Sequence, residues 1–155
     1  AKLAGAEVLL LTRSPEKQVL GLNIGADYAV GTESEVRNIW PEGADLVVEC
    51  AGVSATVTLS HKLARSGGRV VILGVISQGE QVPIEPFDML FREIQMHFSF
   101  LNPFTHERAA KMIADGTINV SSLISRIISL EEAALAISSP PPKGEVRAIV
   151  VPKHD

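Results

Sequence analysis

The sequence is poor in cysteine, in aromatic side chains and in clustered positive charge. Its 155 residues include one cysteine, Cys50, and only 5% aromatic residues. A single cysteine excludes a disulfide within the chain and any zinc site built from several thiolates. The formal net charge is −4 at pH 7, and Lys and Arg form no runs. These features predict no nucleic-acid partner and no anionic membrane partner.

Long apolar segments are lacking as well. No stretch reaches the roughly 18 apolar residues of a membrane span, and no basic segment with a following apolar core indicates a signal peptide. Together with the lone cysteine, this predicts a cytoplasmic location. The 46% hydrophobic content is enough for the core of one globular domain.

The first residues resemble the end of a helix. The chain has no initial Met, and residues 1–6 read like a last helical turn that closes on Gly5. A helix that starts in its last turn implies upstream sequence, so we expect this chain to be a fragment.

Strands and helices alternate through the first half of the chain. Apolar runs at residues 7–11, 28–30, 45–50 and 69–73 predict strands, with a turn at Ser66-Gly67-Gly68 before the last. Helices are expected between them, the first capped by Ser14-Pro15. This alternation predicts an α/β fold with a doubly wound parallel (Rossmann) sheet.

The alternation stops after Gly74. Residues 82–87 predict an edge strand interrupted by Pro83 and Pro86, and an edge strand can pair with its twin across a two-fold axis. Further predicted elements are strands at 94–100 and 146–151 and helices at 105–114 and 130–137.

The carboxyl ends of the predicted strands are the expected place for a ligand. The strand at 7–11 ends in Thr12-Arg13-Ser14, the strand at 45–50 in Cys50-Ala51-Gly52, and the strand at 69–73 in Gly74-Val75. Glycine directly after a buried strand lets a flat ligand approach the backbone, although glycine is also common in ordinary turns.

Taken together, these segments resemble the cofactor-binding domain of the medium-chain dehydrogenase/reductase family, in particular its zinc-type alcohol and polyol dehydrogenases. The resemblance is carried by the segments 13–17, 45–52, 66–74, 91–94 and 130–133. It covers nearly the whole chain but only the second half of a family member. It implies a dinucleotide-binding domain over residues 1–138, without its first strand and glycine-rich loop. Residues 139–155 would be a linker and a terminal strand that returns toward an absent catalytic domain.

The resemblance also implies a cofactor, NADP or NAD. Family members that use NAD end the strand before this loop in Asp, which accepts hydrogen bonds from the ribose. Thr12 stands there instead, and Arg13 and Ser14 could hold a 2′-phosphate, which favours NADP. Alternatively, Arg13 is a solvated residue at a helix start. The other residues that the resemblance places at the cofactor are Lys17, Cys50, Ala51, Gly52, Leu73, Gly74, Val75, Phe98, Ser99 and Arg147.

The implied activity of the full-length protein is hydride transfer between the nicotinamide and a secondary alcohol, a polyol or the corresponding ketone. The isolated fragment is expected to be inactive, and we assign it no catalytic residue and no metal ligand. By resemblance, zinc belongs to the absent catalytic domain. Ser99 stands where polyol dehydrogenases often carry Arg, which weakens a sugar-alcohol assignment. A homodimer or homotetramer, formed through the edge strand, is expected.

The four histidines have no metal-ligand spacing. His61, His106 and His154 are expected at the surface, and His97 lies in a strand near the predicted cofactor site.

Two other classes of protein remain open. An S-adenosylmethionine-dependent methyltransferase core also places Gly-Gly-Arg before a buried strand, and a non-catalytic NADP-binding or dimerisation module would have the same fold. The order 3-2-1-4-5-6 of a doubly wound sheet raises a further question. It puts the absent first strand between residues 7–11 and 45–50. Either the chain is part of a longer protein, or direct pairing or a second chain closes the gap.

Overall fold

The computed structural model describes residues 1–152, which form an α/β fold in which every paired strand runs parallel to its neighbour. The strands are β1 (Leu9–Leu11), β2 (Tyr28–Val30), β3 (Ala44–Glu49), β4 (Ala64–Ile72), β5 (Gln95–Phe98), β6 (Ile124–Ile128) and β7 (Arg147–Val150). The helices are α1 (Pro15–Asn23), α2 (Glu33–Ile39), α3 (Ser54–Leu63), α4 (Pro86–Phe91), α5 (His106–Ala114) and α6 (Leu130–Ser138). The predicted α/β class with parallel, Rossmann-like strands is confirmed.

The chain divides into two compact units. The first comprises residues 1–31 and the described residues from Pro103 onward, and the second comprises Thr32–Asn102. The second unit contains a three-stranded sheet in the order β3-β4-β5. Its core consists of Val57 on α3 and three residues of β4, namely Ala64, Val70 and Ile72.

The first unit contains two strand pairs, β1 with β2 and β6 with β7. Helix α1 lies close to β1 at Gly21, where a Cβ would come within 2.4 Å of the Leu10 side chain. Glycine therefore sets how closely this helix approaches the strand. The sequence pattern did not reveal β6, because Ser125 and Arg126 interrupt its apolar residues.

Local sequence signals fixed the helix starts well. The Ser14 side chain accepts a hydrogen bond from the Lys17 amide, and Pro15 occupies the first helical position, as predicted. Thr32 and Glu35 form a capping box at the start of α2. The predicted last helical turn is a short 3-10 helix, Lys2–Ala4, closed by Gly5 at φ 83°.

One predicted element is wrong. Residues 82–85 form a loop and not an edge strand, and Pro86 begins helix α4. The reason is that Pro83 and Pro86 cannot donate ladder hydrogen bonds, while the fixed φ of proline suits a first helical turn. The predicted turn at Ser66-Gly67-Gly68 coincides with an irregularity inside β4: Gly67 has φ 70°, and the register against β3 shifts so that Leu46 pairs with Arg69.

The strands next to the absent first strand have the pairings expected on their other sides. Within residues 1–152, β1 pairs with β2, and β3 pairs with β4. The strand at 45–50 is less buried than expected, since Leu46 and Val48 are about half exposed. No helix within residues 1–152 is long and apolar enough to cross a membrane.

Candidate functional site

Three predicted site segments follow neighbouring strands of the second unit. In the parallel register, Glu49 at the end of β3 pairs with Ile72 of β4, and Ile72 pairs with Phe98 of β5. Segments 50–52, 73–75 and 98–99 therefore leave the sheet at the same edge, in the order of the strands. This is the edge where ligands bind in open α/β sheets.

The first two of these segments are in contact through their main chains. A Cβ on Gly52 would lie 2.6 Å from the Val75 carbonyl oxygen and 2.7 Å from the Val75 nitrogen, and Gly52 has φ +66°. A Cβ on Gly74 would lie 2.2 Å from the Gly52 nitrogen. Only glycine fits either position, because the main chain of the other loop occupies the space of a Cβ.

The outer surface of this edge is exposed and largely apolar. Leu73, Val75 and Phe98 are 45%, 77% and 76% exposed. Cys50 and Ala51 are exposed as well, and Ser99 donates its amide to the Ile72 carbonyl at 3.0 Å. An exposed apolar surface beside two glycines suits a flat aromatic ring. We call the surface formed by Cys50, Ala51, Gly52, Leu73, Gly74, Val75, Phe98 and Ser99 the strand-end surface.

Cys50 is the thiol of this surface. Desolvation raises the pKa of the Cys50 thiol, and the adjacent Glu49 carboxylate raises it further. The thiol is therefore protonated at neutral pH and a poor nucleophile.

Sequence reasoning missed Glu49, although it lies directly before Cys50. Glu49 is only 5% exposed, and its Oε1 atom accepts hydrogen bonds from the Ala51 and Gly52 amides and the Thr56 hydroxyl. The available signal was a charged residue at the end of an otherwise apolar strand, because a buried carboxylate requires donors nearby.

The remaining predicted cofactor residues lie in the first unit. Thr12 follows β1, and its hydroxyl is 3.5 Å from the Ser14 amide. The Ser14 hydroxyl donates to Glu16 at 2.7 Å while it caps α1, and this hydrogen bond lowers the pKa of the Glu16 carboxyl. Arg13 and Lys17 are exposed beside it, and Arg147 is exposed at the start of β7.

The histidines differ in one respect from the prediction. His61 is 1% exposed, so its predicted surface position is wrong. His106 is exposed at the start of α5, as expected, and His97 is exposed in β5. His154 lies outside the described residues.

The described residues do not fit a zinc ion. Across residues 1–152 no three His, Cys, Asp or Glu side chains are grouped closely enough to hold a metal.

Parallel strands that end in a glycine-lined edge define a Rossmann-like, nucleotide-binding class of fold. The family model for zinc-binding dehydrogenases matches residues 1–129, and this chain belongs to that family. It is 48% identical to a putative zinc-binding dehydrogenase from Sinorhizobium meliloti 1021, solved bound to NADP, with a TM-score of 0.91 over 97% of this chain and 47% of that one.

Curated relatives include polyol dehydrogenases. A putative D-xylulose reductase of Rhizobium meliloti is 34% identical over 61% of this chain and 27% of its own length. Sorbitol dehydrogenase of Gallus gallus is 27% identical over 90% of this chain and 41% of its own. The chain thus spans less than half the length of these relatives.

Proposed function

We propose that this chain is the cofactor-binding part of an NADP-dependent or NAD-dependent dehydrogenase that interconverts a secondary alcohol or polyol and its ketone. The observation that carries the proposal is the strand-end surface, where neighbouring parallel strands end in glycines packed main chain to main chain. Membership of the zinc-binding dehydrogenase family and the similarity to an NADP-bound member support it.

In this proposal the strand-end surface holds the nicotinamide half of the cofactor. The bound nicotinamide supplies the hydride chemistry, and the chain orients the ring. Exposed Leu73, Val75 and Phe98 offer apolar contact to the ring. Cys50, Ala51 and Ser99 border the same surface.

The residues after β1 are assigned to the 2′-phosphate of NADP. Arg13 is exposed and brings a guanidinium suited to phosphate, while the Ser14 hydroxyl is already engaged by Glu16, so Arg13 carries most of the preference. Lys17 is proposed to lie beside the adenosine and Arg147 to reach the pyrophosphate.

The preference can be tested with Arg13→Ala. Loss of one charge-assisted phosphate contact is expected to weaken NADPH binding about tenfold and to leave NADH binding unchanged. Lys111→Ala, an exposed substitution on α5, serves as the control. An equal loss of affinity for both cofactors, or no loss of affinity for NADPH, would contradict the assignment of Arg13 to the 2′-phosphate.

The substrate class is proposed from the relatives, whose names include D-xylulose reductase, D-arabinitol dehydrogenase and sorbitol dehydrogenase. A small alcohol or ketone fits this set. Residues 1–152 offer no zinc ligand set, so any zinc that polarises the substrate would be held by other parts of the complete protein. Nothing in the comparisons favours a methyltransferase. A cytoplasmic location remains a prediction.

We further propose a homodimer or homotetramer. The edge strand expected to mediate it is a loop followed by α4, yet α4 exposes Phe87, Leu90 and Phe91 at 71–73%. An apolar face of this kind marks an association surface. Light scattering on the complete polypeptide and on Phe91→Glu tests this, and a monomeric parent protein would contradict it.

The cofactor proposal is tested by titrating the complete polypeptide with NADPH, NADH and S-adenosylmethionine. Nicotinamide fluorescence and thermal shift report binding. We expect stabilisation by NADPH and none by S-adenosylmethionine. If neither nicotinamide cofactor binds, the proposed function is wrong.

A further inference from the structure

Glu49 joins the two loops of the strand-end surface. Its carboxylate Oε1 accepts from the Ala51 amide at 2.8 Å, the Gly52 amide at 3.0 Å and the Thr56 hydroxyl at 2.7 Å. Its main-chain carbonyl accepts from the Leu73 amide at 2.9 Å and the Gly74 amide at 3.1 Å. One residue at the end of β3 thereby binds both its own loop and the loop that follows β4.

The second carboxylate oxygen, Oε2, has a different environment. It is buried without a hydrogen-bond partner among the described residues, and a Cβ on Gly74 would lie 2.4 Å from it. Oε2 thus packs over the main chain of Gly74. This placement fixes the carboxylate against the second loop and explains why no side chain is tolerated there.

We infer that Glu49 is a positioning residue of the nicotinamide half of the cofactor site, an inference that rests on the proposed function. The three hydrogen bonds to Oε1 fix the turn at Cys50-Ala51-Gly52, and the packing of Oε2 fixes the distance of that turn from Gly74. The geometry of the surface that receives the ring therefore depends on a buried carboxylate that the ring does not touch.

The contacts of Glu49 require a hydrogen-bond acceptor at the position of Oε1. A carboxyl oxygen has lone pairs for more than one donor. In Glu49→Gln the amide oxygen can keep the hydrogen bonds of Oε1, but the amide NH2 would replace Oε2 and bring two donors to a position where the buried Oε2 has no partner. Glu49→Leu removes every side-chain hydrogen bond at nearly constant volume.

The test compares two probes on the complete polypeptide. NADPH carries both halves of the cofactor, and adenosine 2′,5′-bisphosphate carries only the adenosine half. For Glu49→Leu we expect the dissociation constant of NADPH to rise about tenfold, with a loss of the nicotinamide fluorescence change and no effect on adenosine 2′,5′-bisphosphate. Glu49→Gln is expected to lie between the parent protein and Glu49→Leu.

Val36→Ala is the control for a general loss of stability, because Val36 is buried on α2 outside the strand-end surface. It should lower the melting temperature and change neither affinity. If Glu49→Leu does not fold, Thr56→Val removes one donor to Oε1 and is expected to weaken NADPH binding about threefold, again without an effect on the bisphosphate.

The outcomes separate the two claims. If the parent protein binds no NADPH, the proposed function fails. If the parent protein binds NADPH and the Glu49 and Thr56 variants bind both probes as it does, or lose both equally, the positioning role of Glu49 is wrong while the proposed function stands.

Discussion

At the scale of single residues, two buried ionisable side chains of the second unit differ in their hydrogen bonding. Glu49 and His61 are both almost fully buried, but Glu49 has three donors on one oxygen, whereas neither ring nitrogen of His61 has a partner among the described residues. A buried imidazole without a partner is tolerated only while it is neutral. Stability and pH should therefore be linked through His61.

Burial lowers the pKa of His61, Asp88 and Glu85 oppose that shift, and Lys62 and Arg92 add to it. Since the folded protein binds the proton less well than the unfolded chain, stability is present above about pH 6.5 and is lost as the pH falls below it. We expect the urea midpoint to decrease from pH 7.5 to pH 5.5, and His61→Leu to remove part of that decrease.

The matched control is His106→Leu, because His106 is exposed on α5. A pH dependence that is the same in both variants would show that His61 is not responsible.

Cys50 offers a chemical test of the strand-end surface. Its thiol is exposed but has a raised pKa, so alkylation by iodoacetamide should be slow at pH 7 and accelerate at alkaline pH. If the nicotinamide half covers this surface, saturating NADPH should slow modification of Cys50 about tenfold or more. Peptide mass spectrometry of the complete polypeptide measures the rate of Cys50 alkylation with and without NADPH.

Adenosine 2′,5′-bisphosphate lacks the nicotinamide and should not protect Cys50. Equal protection by both ligands, or none by NADPH, would place the ring elsewhere.

At the scale of elements, one guanidinium links α3 to α4. Arg92, directly after α4, pairs with Asp88 one turn earlier and donates to the carbonyls of Ala64 and His61 at 2.8 Å. These carbonyls end α3 and begin β4, where the helix has no further amide to offer them. The pair also lowers the pKa of the Asp88 carboxyl and raises that of Arg92.

Arg92→Leu is therefore expected to destabilise the protein by about 1–3 kcal/mol, because it leaves two carbonyls and a carboxylate without their donor. Arg65→Leu is the control: Arg65 pairs with Asp45 at 2.6 Å, but Asp45 is 84% exposed, so that pair should contribute less than about 1 kcal/mol. Denaturant unfolding of both variants gives the comparison. Equal losses of unfolding free energy in the two variants would show that the Arg92 contacts between α3 and α4 stabilise the protein no more than an exposed ion pair does.

At the scale of the whole molecule, the strands differ in how many neighbours they have. β4 is hydrogen-bonded on both sides, by β3 and β5, while β1 and β2 are paired only with each other among residues 1–152. A two-stranded parallel pair of three residues is weak by itself. Val70 is fully buried in β4, whereas β1 is only half-buried.

Amide hydrogen exchange of the 155-residue chain should reflect this difference. We expect the amides of Val70 and Ile72 to exchange at least about tenfold more slowly than those of Leu10 and Leu11. In the complete polypeptide the difference should shrink if another strand adds to β1. Equal protection of both strands in the 155-residue chain would contradict the assigned sheet topology.

Whether an element could be predicted from the sequence depends on how far apart in sequence its interacting residues lie. A helix start depends on residues that are neighbours in sequence, so the start of α1 at Ser14-Pro15 was predicted correctly. The strand at 28–30 was also predicted with its observed bounds. The edge strand at 82–87 failed because a strand needs a partner, and no local pattern shows whether one is in reach. His61 was misplaced since its burial depends on how α3 packs against β4.

The sequence alone determined the α/β class, the parallel alternation and the family. The first two follow from local hydrophobic periodicity, and the family follows from motifs that occur in the same order along the chain. Only the tertiary structure decided that Gly52, Gly74 and Glu49 form one contact. The physical reason is that main-chain packing and the burial of a carboxylate depend on residues more than twenty positions apart, which meet only when β3 and β4 pair.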